Sequence, residues 1–225
     1  MGTNHQYMLF FTQKGKVFWM RVYEIPEGGK TSKGRAIQNL INIEQDDKVK
    51  AFLVTEDLKN EEYVNSHYII MATKGGQVKK TPLEQYSRPR TNGINAITIK
   101  EGDELLEAKL TTGDSQIMLA VKSGKAIRFE EGKTRPMGRN ASGVRGITLA
   151  NPKDEVIGMI AVDDVNSNIL VVSEKGYGKQ SSIDDYRITN RGGKGVKTIS
   201  VTEKTGNLVA IKNVTDEDDL MINNK

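Results

Sequence analysis

Two glycines, separated by 18 or 19 residues, recur as a pair four times along this chain of 225 residues. The first glycine of each pair lies in a turn between apolar segments, as in "FFTQKGKVF" and "LAVKSGKAI", at Gly15, Gly75, Gly124 and Gly176. The second glycine of each pair is Gly34, Gly93, Gly143 or Gly195. A period of about 50 residues with roughly four short strands is typical of one propeller blade. The chain is therefore expected to be an array of similar β-units.

The apolar segments predict strands and almost no helix. They are short, rich in Val, Ile, Tyr and Phe, and separated by glycine-containing turns, for example "YMLFFT", "QIMLAV", "VIGMIAV" and "NILVVS". No window has the apolar spacing of an amphipathic helix, and only "TPLEQY" and "SSIDDY" are compatible with a single helical turn each. The predicted fold class is therefore all-β.

The repeats also define the predicted domain organisation. Four blade-like units are expected at about residues 6–57, 67–114, 115–166 and 167–218, with the start of another at 219–225. Because the terminal units of such arrays need a cap or ring closure to cover their edges, residues 1–225 are expected to be a single domain that is part of a larger ring. The polar stretch "EDLKNEEYVNS", which lengthens the first repeat, is predicted to be a surface loop.

The composition excludes several classes of protein. The chain has no cysteine, so it has neither a disulfide framework nor a thiolate metal site. Its N-terminal segment lacks the pattern of a signal peptide, and no apolar run approaches the roughly 18 residues that span a bilayer. These features predict a cytoplasmic protein that is not embedded in a membrane.

The sequence contains no convincing catalytic or nucleotide-binding motif. The segments "GGKT" and "GKT" resemble the end of a phosphate-binding P-loop, but Glu24 and Ile127 occupy the position of its first glycine. The only histidines are His5, near the N-terminus, and His67, at the start of a predicted strand. We therefore expect no catalytic residue, no metal and no cofactor in this segment.

Positive charge follows the same period as the glycines. Segments that run from the first glycine turn to just beyond the second glycine carry net charges of +4, +4, +5 and +4, at 14–35, 74–95, 122–145 and 175–197. These total +17, so the other halves of the repeats carry −13 in a chain whose net charge is +4. If the repeats stack radially, the basic halves form a positive arc on one rim, and a curved polyanion is the expected partner. The alternative is a set of ordinary solvated lysines and arginines.

The segment "YRITNRGGKGVKTI", residues 186–199, holds four basic residues and three glycines but no carboxylate. It lies on the basic half of the fourth repeat. Glycines can adopt positive φ and bring backbone N–H groups against a phosphate, while Arg191 and Lys194 neutralise its charge. A phosphate-binding loop is therefore predicted here. A tight structural turn with solvated charges is the alternative.

Several long segments resemble one protein family, the C-terminal domain of the bacterial DNA gyrase A subunit. They are "GKVFWMRVYEIPEG", "SKGRAIQNLINIEQDDKV", "GGQVKKTPLEQYSRPRTNGINAITIKEGDEL" and "GKAIRFEEGKTRPMGRNASGVRGITL", and the likeness covers nearly the whole chain. The resemblance implies a β-pinwheel, a propeller-like fold with strands exchanged between blades, that wraps double-stranded DNA around its basic rim.

The same resemblance implies partners and a role. The expected protein partners are the gyrase B subunit and the remainder of the gyrase A subunit, with which the chain is expected to support ATP-dependent negative supercoiling. The breakage tyrosine of the family belongs to the N-terminal region of the A subunit, whereas ATP hydrolysis belongs to the B subunit. This segment is therefore expected to have no catalytic activity alone.

The family also carries a seven-residue gyrase A-box (Gln, basic, Arg, Gly, Gly, basic, Gly), usually on its first blade. Residues 191–195 match its last five positions in the fourth repeat, whereas Thr189 and Asn190 depart from its first two. The DNA contacts expected in this repeat are Arg187, Arg191, Gly192, Gly193, Lys194, Gly195 and Lys197. Those expected on the other repeats are Lys33, Arg35, Arg88, Arg90, Arg139 and Arg145.

Three other interpretations of the function stay open on the sequence alone. The related C-terminal domain of topoisomerase IV shares the blades but usually lacks a good A-box. A propeller-type protein-interaction scaffold and an enzyme with a site in the central channel belong to other functional classes. DNA binding that weakens linearly with the logarithm of salt concentration distinguishes a DNA-wrapping domain from these two classes.

Overall fold

The computed structural model describes residues 5–25, 41–164 and 166–214, and strands dominate this part of the chain. The strands, in chain order, are β1 (Tyr7–Thr12), β2 (Lys16–Arg21), β3 (Val49–Thr55), β4 (Tyr68–Thr73), β5 (Gln77–Pro82), β6 (Ile94–Asn95), β7 (Leu105–Thr111), β8 (Gln116–Val121), β9 (Lys125–Glu130), β10 (Val144–Arg145), β11 (Val156–Val162), β12 (Asn168–Ser173), β13 (Gly178–Ser182), β14 (Val196–Lys197) and β15 (Leu208–Val214). One short α-helix, α1, spans Glu61–Ser66. The all-β prediction is confirmed.

In the described residues, helical structure outside α1 consists of single 3-10 turns. They lie at Val22–Glu24, Leu83–Tyr86, Glu131–Lys133 and Ile183–Asp185. Two of them fall in "TPLEQY" and "SSIDDY", where a single helical turn was predicted. In the described part of the chain, no helix has the length and apolar character needed to cross a membrane.

Each repeat begins with a β-hairpin whose turn requires a glycine. The hairpins are β1–β2, β4–β5, β8–β9 and β12–β13. Three residues after each first strand ends, a glycine has a φ between +85° and +95°, which would strain any other residue. These glycines are Gly15, Gly76, Gly124 and Gly176. The sequence alignment was wrong at Gly75, because Gly76 has the positive φ and Gly75 takes the place that Lys14 has in the first turn.

A third strand, from the end of the same repeat, pairs with the other side of the first strand. β3 pairs with β1, β7 with β4, β11 with β8 and β15 with β12, all antiparallel. The first strand of each repeat is therefore central in its sheet. In β1, Leu9, Phe10 and Phe11 are successive and almost completely buried, because both faces of this strand are covered. This is why the first strands read as continuous apolar runs rather than as alternating ones.

The fourth strand of two sheets comes from the following repeat. β6, in the second repeat, pairs with β2 of the first, and β14, in the fourth repeat, pairs with β9 of the third. The spatial orders of these sheets are β3–β1–β2–β6 and β11–β8–β9–β14. These pairings confirm the strand exchange that the family resemblance implied.

The second glycine of the pair permits the exchange in these two sheets. Gly93 and Gly195 precede β6 and β14 and have φ values of +71° and +77°. A Cβ atom on Gly93 would lie 2.9 Å from the carbonyl oxygen of Val17, and one on Gly195 would lie 2.6 Å from that of Ala126. A side chain at either position would therefore push the exchanged strand away from its partner.

The chain divides into two compact units that do not follow the repeats. The first unit consists of Met1–Thr73, Val78–Gly113 and Arg135–Gly143, and the second of Lys74–Gln77, Asp114–Thr134 and Val144–Lys225. The core of the first unit includes Phe11 and Tyr86, whose rings meet edge to face with centroids 6.2 Å apart. The core of the second unit includes Ile169 and Tyr186.

The insertion in the first repeat contains a short helix instead of the predicted irregular loop. The side-chain oxygen of Asn60 caps α1 by accepting a hydrogen bond from the Tyr63 N–H at 3.1 Å. Glu61 and Glu62 lie in the first turn, where negative charge is favourable, and Val64 is buried. A cap and one buried side chain therefore stabilise a helix that the polar composition did not indicate.

Gly93→Ala and Gly102→Ala form a matched pair of variants that tests the strand exchange. The φ values of these glycines are +71° and +77°, so alanine costs similar backbone strain of about 1 to 2 kcal/mol at both. A Cβ at Gly102 meets nothing within 4 Å, whereas one at Gly93 meets the Val17 carbonyl. We expect urea denaturation to show a further loss of about 1 to 3 kcal/mol in unfolding free energy for Gly93→Ala alone. Equal losses would contradict the close approach at Gly93.

Candidate nucleic-acid interface

Two loops with the same backbone arrangement carry many of the candidate residues. They span residues 134–143 and 186–195, and each ends at a positive-φ glycine before a two-residue strand. The second strand of the preceding repeat holds the start of each loop. The Met137 N–H donates to the Lys80 carbonyl at 2.7 Å, and the Thr189 N–H donates to the Arg128 carbonyl at 2.9 Å. The loops are therefore continuous with the sheet framework.

Arg191 is anchored through its guanidinium to backbone carbonyl groups. Its Nε donates to the Lys133 carbonyl at 3.1 Å, and its Nη1 donates to the Arg145 carbonyl at 3.2 Å. Arg139 has the equivalent position in the other loop, where its Nη1 donates to the Asn95 carbonyl at 3.2 Å. Each arginine therefore ties its loop to the neighbouring chain segment. In the second unit this places Arg191 beside Lys133 and Arg145.

The glycine run is only partly available to a phosphate. The φ values of Gly192 and Gly195 are +90° and +77°, as such a loop requires. The Gly192 N–H donates to the Gly146 carbonyl at 2.7 Å, so it is already satisfied. In the described part of the chain, the N–H groups of Gly193, Lys194 and Gly195 make no backbone hydrogen bond. These are the backbone donors that an anion can reach.

Two carbonyl groups of the same run are satisfied by a threonine. Thr148 donates from Oγ1 to the Gly192 carbonyl at 2.6 Å and from its N–H to the Gly193 carbonyl at 2.8 Å. Thr98 makes the equivalent bonds to Asn140 and Ala141 in the other loop. Because carbonyl oxygens repel a phosphate, holding them in internal hydrogen bonds leaves the N–H groups as the dominant polar feature of the loop.

A pocket of about 360 Å³ lies at the loop of the fourth repeat. Its lining includes the cationic side chains of Arg128, Arg187 and Lys194, and no lining residue is acidic. Burial lowers the pKa of Arg128 from its ordinary value, while the Asp184 carboxylate opposes that shift. A guanidinium stays charged in proteins, so the pocket is suited to an anionic group.

The remaining candidates of the second unit are free of carboxylates. The predicted contacts with exposed side chains are Arg145, Arg187, Lys194 and Lys197. None of these four has a carboxylate partner among the residues that the structure describes. Arg187 and Lys194 line the same pocket, and Arg191 donates to the Arg145 carbonyl, so these four cations are neighbours in that unit.

The candidates of the first unit differ in their surroundings. Arg88 pairs with Glu84 at 3.1 Å, and its side chain is 75% exposed, so the pair contributes little to stability. Arg90 is exposed, and Arg139 is half-buried. The predicted contacts Lys33 and Arg35, together with Gly34, lie outside the described residues. Within the described ranges, no cluster of three or more His, Asp or Glu side chains could hold a metal ion.

Sequence reasoning missed a buried cation beneath the Arg139 loop. Lys79, in β5, is fully buried, and its Nζ donates to the carbonyl groups of Ala96, Gly138 and Arg139 at 2.5, 3.2 and 2.7 Å. Burial, followed by the charge of Arg139, lowers the pKa of Lys79 to about 7. No signal in "QVKKTP" distinguishes this lysine from a solvated one. Two of its three partners, Gly138 and Arg139, come from the loop of the following repeat, which only the fold places above it.

Hairpin repeats with an exchanged strand and basic glycine loops define a propeller-type domain with the features of an anion-binding surface. The sequence profile of the family described as "DNA gyrase C-terminal domain, beta-propeller" matches residues 6–56, 67–112, 116–163 and 167–215. The chain belongs to this family.

Similar proteins agree with the family. The chain is 43% identical over 221 residues to the DNA gyrase A subunits of Staphylococcus epidermidis strain ATCC 12228 and of Staphylococcus aureus strain NCTC 8325. These matches cover 98% of the chain but 24% of each relative, so the chain spans about a quarter of their length.

Solved structures support the fold. A DNA topoisomerase IV C-terminal domain superposes with a TM-score of 0.81 at 23% identity, covering 95% of this chain and 65% of that one. A DNA gyrase A C-terminal domain superposes with a TM-score of 0.76 at 23% identity, covering 95% of this chain and 67% of that one. At this level of identity the likeness is one of fold.

The depressed pKa of Lys79 predicts a pH dependence of stability. A lysine with a pKa of about 7 when folded and its ordinary value of 10.5 when unfolded binds more protons in the unfolded state between these values. Its contribution to the unfolding free energy therefore rises with pH across this window, with a slope of up to about 1.4 kcal/mol per pH unit.

Lys79→Met isolates this contribution. We expect the unfolding free energy of the parent, measured by urea denaturation between pH 7 and 9.5, to rise relative to that of Lys79→Met. The exposed residue Lys100 supplies the control, since Lys100→Met is expected to follow the parent at every pH. A constant difference between the parent and Lys79→Met would mean that Lys79 stays charged throughout this range.

Proposed function

We propose that this chain binds, bends and wraps double-stranded DNA without sequence specificity, as the C-terminal domain of a gyrase A subunit. In the holoenzyme, which also contains the gyrase B subunit, it acts with the remainder of the A subunit to support ATP-dependent negative supercoiling. The proposal includes a cytoplasmic location at the nucleoid, where its substrate lies. The chain contributes DNA binding, and the chemistry of strand passage belongs to other parts of the holoenzyme.

The loop at 186–195 is the observation that carries the proposal. It combines Arg191 and Lys194 with the open N–H groups of Gly193 and Gly195, beside a pocket that has no acidic lining residue. Charge-assisted bonds from arginine, lysine and backbone N–H groups are the usual ligands of DNA phosphates. Arg187 and Lys197 extend the same basic surface at either end of the loop.

Wrapping requires more contacts than one loop supplies. Bending a site of 20 to 30 base pairs by 40 to 90° costs on the order of 1 to 6 kcal/mol, so many phosphate contacts must act together. We propose that Lys33, Arg35, Arg88, Arg90, Arg139 and Arg145 provide the additional contacts. Gly192 acts differently from its neighbours, since its N–H is already bonded and its role is to shape the backbone.

A topoisomerase IV C-terminal domain is the second candidate. The higher TM-score, 0.81 against 0.76, is with such a domain. Three features favour gyrase: the family profile, the 43% identity to gyrase A subunits and the five residues that match the A-box. Closing nicked circular DNA with ligase in the presence of the chain tests wrapping directly, because a wrapped segment changes the linking number and a merely bound segment leaves it unchanged.

Arg191→Ala/Lys194→Ala tests the role of the loop. We expect moderately weaker binding to a short duplex, and a plot of log affinity against log salt that is flatter by about two units, one for each lost phosphate contact. Lys100→Ala/Lys153→Ala is the matched control, because it removes the same charge from exposed positions on the acidic halves of the repeats. We expect the control to leave the slope within about half a unit of the parent.

Bending is the second readout of the same variants. Energy transfer between dyes at the two ends of the duplex reports how far the DNA is bent at saturating protein. We expect Arg191→Ala/Lys194→Ala to reduce bending more than binding, since curvature needs contacts along the whole path. If the double variant bends DNA as well as the parent does, the run is a structural turn and its assignment to DNA binding is refuted.

The proposal also predicts little sequence preference. The candidate residues are arginine, lysine and glycine, and few Asn or Gln side chains are aligned on an element that could enter a major groove. We expect unrelated duplexes of equal length to compete with similar affinities. A preference above roughly a hundredfold for one sequence would contradict a phosphate-dominated interface.

A further inference from the structure

Arg128 is a buried arginine directly beneath the glycine loop. It lies in β9 and is 5% exposed. On one side, its Nε donates to the side-chain oxygen of Gln116 at 2.8 Å. On the other side, its Nη1 donates to the carbonyl groups of Ile183 and Tyr186 at 2.9 and 2.7 Å. The planar guanidinium therefore bridges a central strand of the third repeat and the 3-10 turn of the fourth.

The two carbonyls that Arg128 holds lie immediately before the basic loop. Tyr186 precedes Arg187, and the backbone carbonyl of Arg128 also accepts the Thr189 N–H at 2.9 Å. One residue thus fixes the chain on both sides of Arg187, through its side chain and through its main chain. The loop that carries Arg191 and Lys194 starts from this fixed point.

We propose that Arg128 is a positioning residue for DNA binding. It does not touch DNA, but it holds residues 183–189 so that Arg191, Lys194 and the open N–H groups meet a phosphate together. This inference rests on the proposed function and adds to it a residue outside the exposed basic surface. Preorganisation of this kind matters because a loop that must be ordered on binding loses affinity to that ordering.

The first unit contains an equivalent bridge made by a neutral donor. Trp19 occupies in β2 the place of Arg128 in β9, and its Nε1 donates to the Tyr86 carbonyl at 2.9 Å. A neutral donor with one N–H therefore suffices to tie a strand to the following turn. The second carbonyl that Arg128 reaches, and its charge at the pocket wall, are what distinguish the bridge beneath the glycine loop.

Arg128→Met removes this bridge without altering any exposed charge. In the complete 225-residue chain, we expect Arg128→Met to flatten the dependence of log affinity on log salt by about one to two units, as the loss of the loop contacts does. Arg128→Lys keeps the charge but not the planar fork, so we expect it to show most of the same flattening. Circular dichroism, followed against temperature, identifies a temperature at which each variant is folded, and the binding assay is run there. Urea denaturation gives the unfolding free energy of each variant.

A double-mutant cycle separates positioning from general destabilisation. The Arg191→Ala/Lys194→Ala background lacks the two cations that Arg128 is proposed to position, so Arg128→Met should change the DNA affinity less than about twofold there. Its effect on the unfolding free energy should be the same in both backgrounds. Trp19→Phe is the control, because its effect on DNA affinity should add fully to that of Arg191→Ala/Lys194→Ala.

Several results would overturn the proposal. One is that Arg128→Met changes the DNA affinity as much in the Arg191→Ala/Lys194→Ala background as in the parent. Another is that the salt slope of Arg128→Met equals that of the parent. A third is that Arg128→Lys binds DNA as the parent does. If Arg128→Met does not fold, the cycle is run with Arg128→Lys, for which the same outcomes apply. Absence of salt-dependent DNA binding by the parent chain would instead refute the proposed function itself.

Discussion

The fold depends on glycine positions where backbone approaches backbone without an intervening side chain. The second glycine, as at Gly93 and Gly195, lets a two-residue strand lie against the carbonyl of the preceding repeat. The first glycine receives the strand that follows: a Cβ on Gly76 would lie 2.7 Å from the Ile147 carbonyl. The sheets of the first and third repeats are therefore completed by a strand of the following repeat. The two basic loops at 134–143 and 186–195 are held by backbone contacts with the repeat before them.

This dependence has an electrostatic consequence for the candidate interface. Arg139 and Arg191 donate to backbone carbonyls beside the exchanged segments, while Lys79 and Arg128 lie buried beneath the same loops. Arg139 and Arg191 are thus held in place by neutral acceptors instead of by carboxylates, which leaves their charge without an ion-pair partner. A fixed array of this kind meets a phosphate backbone with less ordering cost than flexible surface lysines do.

The repeat made much of this architecture predictable, because glycine pairs and short apolar runs are local signals. The strands β8, β11, β12 and β15 coincide with apolar segments visible in the sequence. The rest depends on distant partners. Gly75 and Gly76 are adjacent, and only the turn geometry selects Gly76. α1 depends on a cap and one buried valine, and the burial of Lys79 depends on carbonyls contributed by the following repeat.

The predicted positive arc is weaker at the first hairpin turn than the sequence suggested. The basic half of the first repeat includes Lys14 and Lys16, yet Lys14 binds Asp46 at 2.5 Å, and both lysines bind Glu44, within 3.5 Å. Asp47 also accepts a hydrogen bond from the Lys14 N–H at 3.0 Å. Acidic residues of the first repeat therefore bind both the side chains and the backbone of its hairpin turn. The charges of the lysines at this turn are therefore partly neutralised by neighbouring carboxylates, whereas the loop at 186–195 contains no carboxylate. Net charge per repeat therefore overstates what the first hairpin turn contributes to the potential that a polyanion meets.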